Sequence, residues 1–129
     1  MLVLRIDGVP VAWSRPRKRG AGGYFSPHKE TGWYAAVVLH ARQGRPAMPR
    51  IDPVALDITF FMPRPKKPKH PHWHIVTPDR DNLEKLVADA LTDARIIKDD
   101  SQICAGEVKK QYPPAGEKPG ALIVLRSLP

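Results

Sequence analysis

Sulfur and long apolar runs are both scarce in this chain of 129 residues. Cys104 is the single cysteine, so no disulfide can form within the chain, and a reducing cytoplasm fits this composition. The apolar runs are far shorter than a membrane span, and the first seven residues mix acid and base, so we expect neither a transmembrane helix nor a signal peptide. The chain also lacks a glycine-rich phosphate loop, which argues against a nucleotide cofactor.

Acidic residues are sparse over most of the chain and gathered in one segment. The formal net charge is +8, and residues 1–50 hold nine Lys or Arg against two acids. Seven of the thirteen Asp and Glu residues lie between positions 79 and 100. A basic body attracts polyanions such as nucleic acid, whereas an acidic segment within it would repel phosphate unless a divalent cation lies there. The pattern suggests metal-dependent chemistry on nucleic acid, although an ordinary basic protein with acidic helices would show the same charges.

Apolar periodicity predicts a single α+β domain over residues 1–129. Strands are predicted at 2–6, 53–62, 103–111 and 121–126, and helices at 29–44 and 80–94. The order β-α-β-α-β-β favours a mixed sheet with both helices packed on one face, and the turn-rich residues 113–120 suggest a hairpin between the last two strands. We expect Trp33 and Phe60 in the core, and Cys104 as a small buried residue at a strand start.

Two loops, residues 10–27 and 63–78, combine prolines with basic residues and cannot form regular helix. We expect both to be exposed and to contact DNA phosphates. The candidate DNA-binding residues are Arg15, Arg17, Lys18, Arg19, Arg64, Lys66, Lys67 and Lys69. The second loop also carries His70, His72 and His74, for which a Zn²⁺ site is the alternative to a flexible DNA-facing loop. Trp73 among them would stack on an unpaired base if exposed, or pack within the protein.

The acidic segment begins with Asp79 and Asp81, two residues apart where the second helix starts. Side chains two apart in an extended segment point the same way, so both carboxylates can reach one ion. Lys85 is one helical turn from Asp81, on the face opposite the apolar stripe. Asp100 follows the helix and turns back toward the sheet. Hard carboxylate oxygens suit Mg²⁺, with Mn²⁺ as a substitute, and a nearby lysine adds positive charge where a phosphoryl transition state gains negative charge.

Each of these residues also has an ordinary structural interpretation. Asp81 with Glu84 forms a capping-box pattern, and an acid in a first helical turn is favoured by the helix dipole. Asp99 and Asp100 could form a simple turn, and Lys85 could be a solvated surface lysine. The case for chemistry rests on their combination within a strongly basic chain.

The stretch PDRDNLEKLVADAL followed by IIKDDSQI resembles the signature of the RusA family of Holliday-junction resolvases. That signature consists of a P-D-x-D-N-L-x-K helix start, a D-A-L helix end and a D-D-x-Q-[IV] turn. Three flanking segments are similar to weaker family features, in the same order along the chain. They are the early Arg-Pro-Arg at residues 15–17, the aromatic-to-lysine stretch at 24–29 and the Pro-Arg-Pro-Lys at 63–66.

The resemblance implies a homodimer of mixed α/β domains that makes paired, Mg²⁺-dependent nicks across a four-way junction in DNA recombination and repair. It makes Asp79, Asp81 and Asp100 the catalytic, metal-binding acids and Lys85 the catalytic lysine, with Asp99 and Asn82 in supporting roles. It also suggests the cytoplasm of a bacterial or phage-infected cell. The chain departs from the expected pattern in the Trp-Ser that precedes Arg15 and in its longer, histidine-rich second loop.

The sequence is also compatible with two other functions. A non-catalytic nucleic-acid-binding module, whose acids merely cap helices, would bind tightly without cutting. A nuclease for flaps or forks would use the same site on other branched DNA, because selectivity for a branch depends on the geometry of a dimer. For that dimer, the outer residues of the first helix and the outward-facing Phe61 of the strand at 53–62 are candidate interface surface.

Overall fold

A five-stranded mixed sheet organises the computed structural model, which describes residues 1–129. In the sheet, β7 lies between β1 and β4 and is antiparallel to both, while β5 and β6 run parallel to β4 along its other edge. Two α-helices and two short 3-10 helices connect the strands. The strands are β1 (Leu2–Asp7), β2 (Arg17–Lys18), β3 (Tyr24–Phe25), β4 (Val54–Phe61), β5 (Ile103–Ala105), β6 (Val108–Gln111) and β7 (Gly120–Ser127), and the helices are α1 (Gly32–Gln43) and α2 (Arg80–Asp93).

Alternation along the strands separates a packed face from an open one. On β4, Val54, Leu56, Ile58 and Phe60 are fully or almost fully buried, and β7 alternates in the same way. Both helices contribute to the single core cluster that covers this face, and they contact each other. Helix α2 contributes the fully buried side chains Leu83, Leu86, Val87, Ala90 and Leu91, each leucine stabilising the fold by about 1.5–3 kcal/mol. This confirms the α+β class and the helices on one face, with Trp33 and Phe60 in the core.

Helix α1 begins later than predicted, because a 3-10 helix, Pro27–Glu30, comes first. Thr31 is the N-cap of α1, and its hydroxyl accepts a hydrogen bond from the Tyr34 amide at 3.2 Å. The first basic loop is also more ordered than an open loop, since β2 and β3 form a small antiparallel hairpin within it. Neither helix has the length and apolar character needed to cross a membrane.

The predicted hairpin between the last two strands is wrong. β6 pairs with β4, and β7 lies on the opposite side of β4, so β4 separates the two. The predicted single strand at 103–111 is also interrupted, because Gly106 has φ +139° and passes so close to β4 that a Cβ there would lie 1.9 Å from the Leu56 carbonyl oxygen. The break leaves β5 and β6 as two short edge strands, and the predicted element order changes accordingly.

Candidate active site on helix α2

The two aspartates at the start of α2 are not used to cap the helix. Asp79 is the N-cap residue, but its side chain accepts no capping hydrogen bond. Asp81 accepts one hydrogen bond, from the neighbouring Asn82 amide at 2.9 Å, and the capping box with Glu84 does not form. Asp79 and Asp81 are both exposed. Neither carboxylate caps the helix through a hydrogen bond, so both are free to bind a ligand, while Asp81 keeps the first-turn position that the helix dipole favours for an acid.

The adjacent Asp99 and Asp100 play different parts in the turn after α2. Asp99 caps the 3-10 helix Asp100–Gln102 in a complete capping box, and its bonds to Ser101 hold the pKa of Asp99 below its usual range. The Gln102 side chain accepts from the amides of Lys98 and Asp99 at 2.9 Å and donates to two backbone carbonyls of residues 50–52. Asp100 makes no side-chain bond and is exposed. Asp99 thus fixes the turn that presents Asp100.

The turn brings Asp100 back to the exposed face of α2. Asp81, Glu84, Lys85 and Asp100 line one open groove of about 260 Å³, together with Ala88 and Ile103. The helical residues are three or four apart and therefore share one face. Three of the four predicted catalytic residues, Asp81, Lys85 and Asp100, are brought together here, although they lie up to nineteen residues apart in the chain.

Asp79 does not line this groove. It lies near Lys110 on β6, whose ammonium donates to the carbonyl oxygens of Val76 at 2.5 Å and Pro78 at 2.7 Å. Burial lowers the pKa of Lys110, and the negative charge of Asp79 opposes that shift. No group of three His, Cys, Asp or Glu side chains lies close enough in the structure to hold one ion. The metal-binding role of Asp79, Asp81 and Asp100 therefore stays a prediction.

Glu84 is a candidate site residue that the sequence interpretation treated only as a capping partner. It is half-buried and lines both the Asp81–Asp100 groove and a neighbouring one along β5 and β6. Burial raises the pKa of Glu84, the charge of Arg80 opposes this, and the charge of Asp81 adds to it. Its position close to Asp81 on the same helical face was the available signal. Glu84 adds a third carboxylate to the lining of the groove beside Asp81 and Asp100. Carboxylate oxygens are the ligands that Mg²⁺ prefers, although these three do not lie close enough to hold one ion in the structure.

Trp13 is a second residue that the sequence did not place at the site. The Lys85 ammonium nitrogen lies 3.7 Å from the centroid of the Trp13 ring, and the Trp13 amide donates to the Asn82 carbonyl at 2.8 Å. Trp13 and Lys85 are far apart in the chain, so no local pattern could have paired them. Through its backbone carbonyl, Asn82 thus holds the first basic loop against α2 beside the site.

The basic loops border the start of α2. The first loop reaches it through Trp13, and the second loop ends at Asp79. All eight predicted DNA-binding residues are exposed. Arg19 is held by Glu30 and lies over the Phe25 ring, and Arg64 donates to the Pro71 carbonyl and lies over Tyr112. The other six form no ion pair or side-chain hydrogen bond within the chain, so their charges face solvent.

The three histidines of the second loop have separate surroundings. His70 accepts from the amides of His72 and Trp73 at 3.0 Å, and His72 stands edge-on against the exposed Trp73 ring. His74 is buried against Tyr112, and burial, followed by the charge of Lys110, lowers the pKa of His74. The three rings therefore do not converge on one point in the structure.

Cys104 is exposed, whereas the sequence predicted a small buried residue. It lies on β5, a strand of only three residues at the edge of the sheet. The prediction was wrong because the preceding residue, Ile103, is the one that packs against the core, and successive side chains of a strand point to opposite faces of the sheet.

Comparison with known proteins agrees with the motifs on α2 and in the following turn. The sequence model of the family described as "Endodeoxyribonuclease RusA" matches residues 7–126, which is nearly the whole chain. A relative from Lactococcus phage r1t, described as "Crossover junction endodeoxyribonuclease rusA", is 41% identical over 58 residues. That alignment covers 45% of this chain and 44% of the phage protein, less than half of either. On the match over residues 7–126, the chain belongs to the RusA family of endodeoxyribonucleases.

Proposed function

We propose that this protein is a metal-dependent endonuclease that resolves four-way DNA junctions in recombination and repair. The observation that carries the proposal is the groove on α2, where Asp81, Lys85 and Asp100 meet within a strongly basic molecule. Family membership supports the nuclease activity, and the description of the phage relative as a crossover junction endodeoxyribonuclease supports the substrate.

The proposed chemistry is hydrolysis of a phosphodiester at this groove. Asp81 and Asp100 line the groove and would hold Mg²⁺ or Mn²⁺. Because no three carboxylates lie close enough to hold one ion, Glu84 and Asp79 would join them only by moving toward the ion. A divalent ion held there would polarise the scissile phosphate and lower the pKa of water, so that hydroxide, the attacking nucleophile, would form near neutral pH. Lys85 contributes a fixed positive charge for the phosphate oxygens that become more negative in the transition state.

The basic loops would hold the DNA backbone around this groove. Six of their eight predicted phosphate-binding residues have no partner within the chain, which leaves their charges available to DNA. Phosphate contacts position a nucleic acid without reading its sequence, which suits an enzyme that recognises branch geometry.

A homodimer completes the proposal, since a four-way junction needs two nicks. The outer face of α1 supports a contact between two copies. Tyr34, Ala35, Val38 and Leu39 line an open, largely apolar cavity there, and the Leu39 side chain is 60% exposed. The strand residue Phe61 is a weaker candidate, because it is half-buried and lies under the Arg5 guanidinium, 4.9 Å away.

The experiment that tests this function compares a synthetic four-way junction, a replication fork and a linear duplex, each with Mg²⁺, with Ca²⁺ and with excess EDTA. We expect paired nicks in the junction with Mg²⁺, binding with little cutting in Ca²⁺, and no cutting in EDTA. Preferential cutting of the fork would instead make the protein a nuclease for other branched DNA. Tight binding without nicks in any metal would favour a non-catalytic binding module. Full activity in EDTA would show that the cleavage does not depend on a metal ion.

A further inference from the structure

We propose that Trp13 is a positioning residue for Lys85, holding the lysine ammonium over its ring at the edge of the groove; this inference rests on the proposed nuclease function. The ammonium nitrogen lies 3.7 Å from the ring centroid, well within the range of a cation–π contact. Lys85 forms no ion pair with Asp81 or Glu84, although both lie within about one helical turn and line the same groove. The ring is therefore the partner that fixes where this charge lies.

The loop that carries Trp13 is fastened to α2 on both sides of Lys85. About one turn before Lys85, the Asn82 carbonyl accepts a hydrogen bond from the Trp13 amide at 2.8 Å. About one turn after it, Asp89 bonds the Nε2 atom of His28 at 3.0 Å. His28 is almost fully buried and exchanges two bonds with Ser14, the residue next to Trp13.

The bonds around His28 define its proton arrangement. The Ser14 amide can only donate, so the Nδ1 atom of His28 accepts from it, and the ring proton lies on Nε2, where it donates to Asp89. Each bond in the series Ser14–His28–Asp89 thus has a donor and an acceptor. This connection, together with the Asn82 bond, restrains the backbone on which the Trp13 ring is mounted.

An aromatic partner suits a catalytic lysine better than a carboxylate would. Lysine has a long, flexible side chain, so a partner is needed to hold its charge in one place. A carboxylate partner from the groove would neutralise that charge. The same carboxylate would then be less available to bind the metal. The face of an indole ring attracts the ammonium without neutralising it. Lys85 consequently keeps its full positive charge for the phosphate.

The test is a double-mutant cycle between Trp13 and Lys85, measured as single-turnover cleavage of a four-way junction in Mg²⁺. Trp13→Leu keeps an apolar side chain without the ring, and Trp13→Phe keeps a weaker ring. We expect Trp13→Leu to slow cleavage about three- to thirtyfold, Trp13→Phe to slow it less, and junction affinity in Ca²⁺ to change less than about twofold. In a Lys85→Met background, Trp13→Leu should cause no further decrease. Met48→Ala, which shortens an exposed apolar side chain outside both basic loops and outside the groove, is the control.

A second measurement reports the contact without using activity. The ring current of Trp13 should shift the NMR signals of the Lys85 ε-methylene protons upfield, and Trp13→Leu should abolish that shift. The proposal is overturned if the shift is absent, if Trp13→Leu slows cleavage equally in the Lys85→Met background, or if only junction affinity falls. A wild-type protein that cuts no branched DNA would overturn the proposed function and the positioning role with it, while the NMR shift would still report whether the contact exists.

Discussion

Asp81 combines exposure, a place in the groove and a side chain that accepts only a local hydrogen bond. Replacing it with asparagine removes a proposed metal ligand and also removes a negative charge from the surface proposed to bind the DNA phosphates. We expect Asp81→Asn to reduce junction cleavage about a hundredfold or more, while junction binding is kept or tightened. The two effects are measured separately, by cleavage in Mg²⁺ and by gel-shift titration in Ca²⁺.

The matched control for this prediction is Asp7→Asn. Asp7 is an exposed aspartate at the end of β1, on the sheet edge opposite β5 and β6, so its replacement changes the net charge equally without touching the groove. A variant of Asp81 that cuts at close to the wild-type rate would take Asp81 out of the site.

Among the individual site residues, the sequence predicted those that are close together along one helix and missed those that only the folded structure brings together. The spacing of Asp81 and Lys85 determines their shared face, because helical geometry does so wherever a helix forms. The capping role of Asp99 follows a local pattern, with Gln102 three residues later, that the sequence interpretation did not use. The place of Asp100 in the groove depends on how the turn packs, and Gln102 anchors that turn to residues 50–52. Trp13 and Lys85 meet only through the tertiary packing of a loop on α2.

The helices and strands with one apolar face were predictable from the sequence, whereas the strand bounds and the strand pairing at the edge of the sheet were not. Helix α2 and strand β4 have strong periodic patterns, and the structure has both within a residue or two of the predicted bounds. Strand β6 pairs with β4 and not with β7. This pairing depends on long-range packing, which the turn residues 113–120 do not indicate. The break at Gly106 arises from its close approach to Leu56, which also has no local signature.

The two basic loops give a prediction at the element scale. We expect Arg17→Gln with Lys18→Gln in the first loop, or Lys66→Gln with Lys67→Gln in the second, to weaken binding to all junction sequences alike. Because each bound phosphate releases counterions, the slope of log affinity against log salt should fall by about one unit for every phosphate that the variant no longer binds. Binding titrations at several salt concentrations measure both quantities.

Arg45→Gln with Lys118→Gln is the control pair for the loop variants. Both residues are exposed and lie outside the two basic loops, so this pair changes the net charge equally. An unchanged salt slope in the loop variants, or an equal change in the control pair, would mean that the loops do not contact DNA.

The surface of the whole molecule has two distinct regions, the charged loops around the groove and the apolar outer face of α1. The two basic loops adjoin the start of α2, where the acids lie. The exposed apolar side chains on α1 belong to a separate surface. A stable dimer interface buries about 800 Å² on each partner, roughly a tenth of the 7822 Å² exposed by this chain. The apolar cavity on α1 and the groove on α2 share no lining residue, so a second copy bound at α1 need not cover the groove.

The proposed two-fold dimer would bring two copies of the groove to one junction. A chain with one groove makes one nick at a time, and resolution needs two nicks in strands of like polarity, which two symmetric grooves supply. We expect heterodimers of wild-type and Asp81→Asn chains to nick one strand and seldom complete resolution, as measured with a supercoiled cruciform plasmid that yields nicked circles instead of linear product. Leu39→Lys, which places a charge on the exposed apolar face of α1, should shift sedimentation toward the monomer and abolish coupled cutting. A wild-type monomer at working concentration that still makes coupled paired cuts would refute the dimer, since a single groove would then suffice for both nicks.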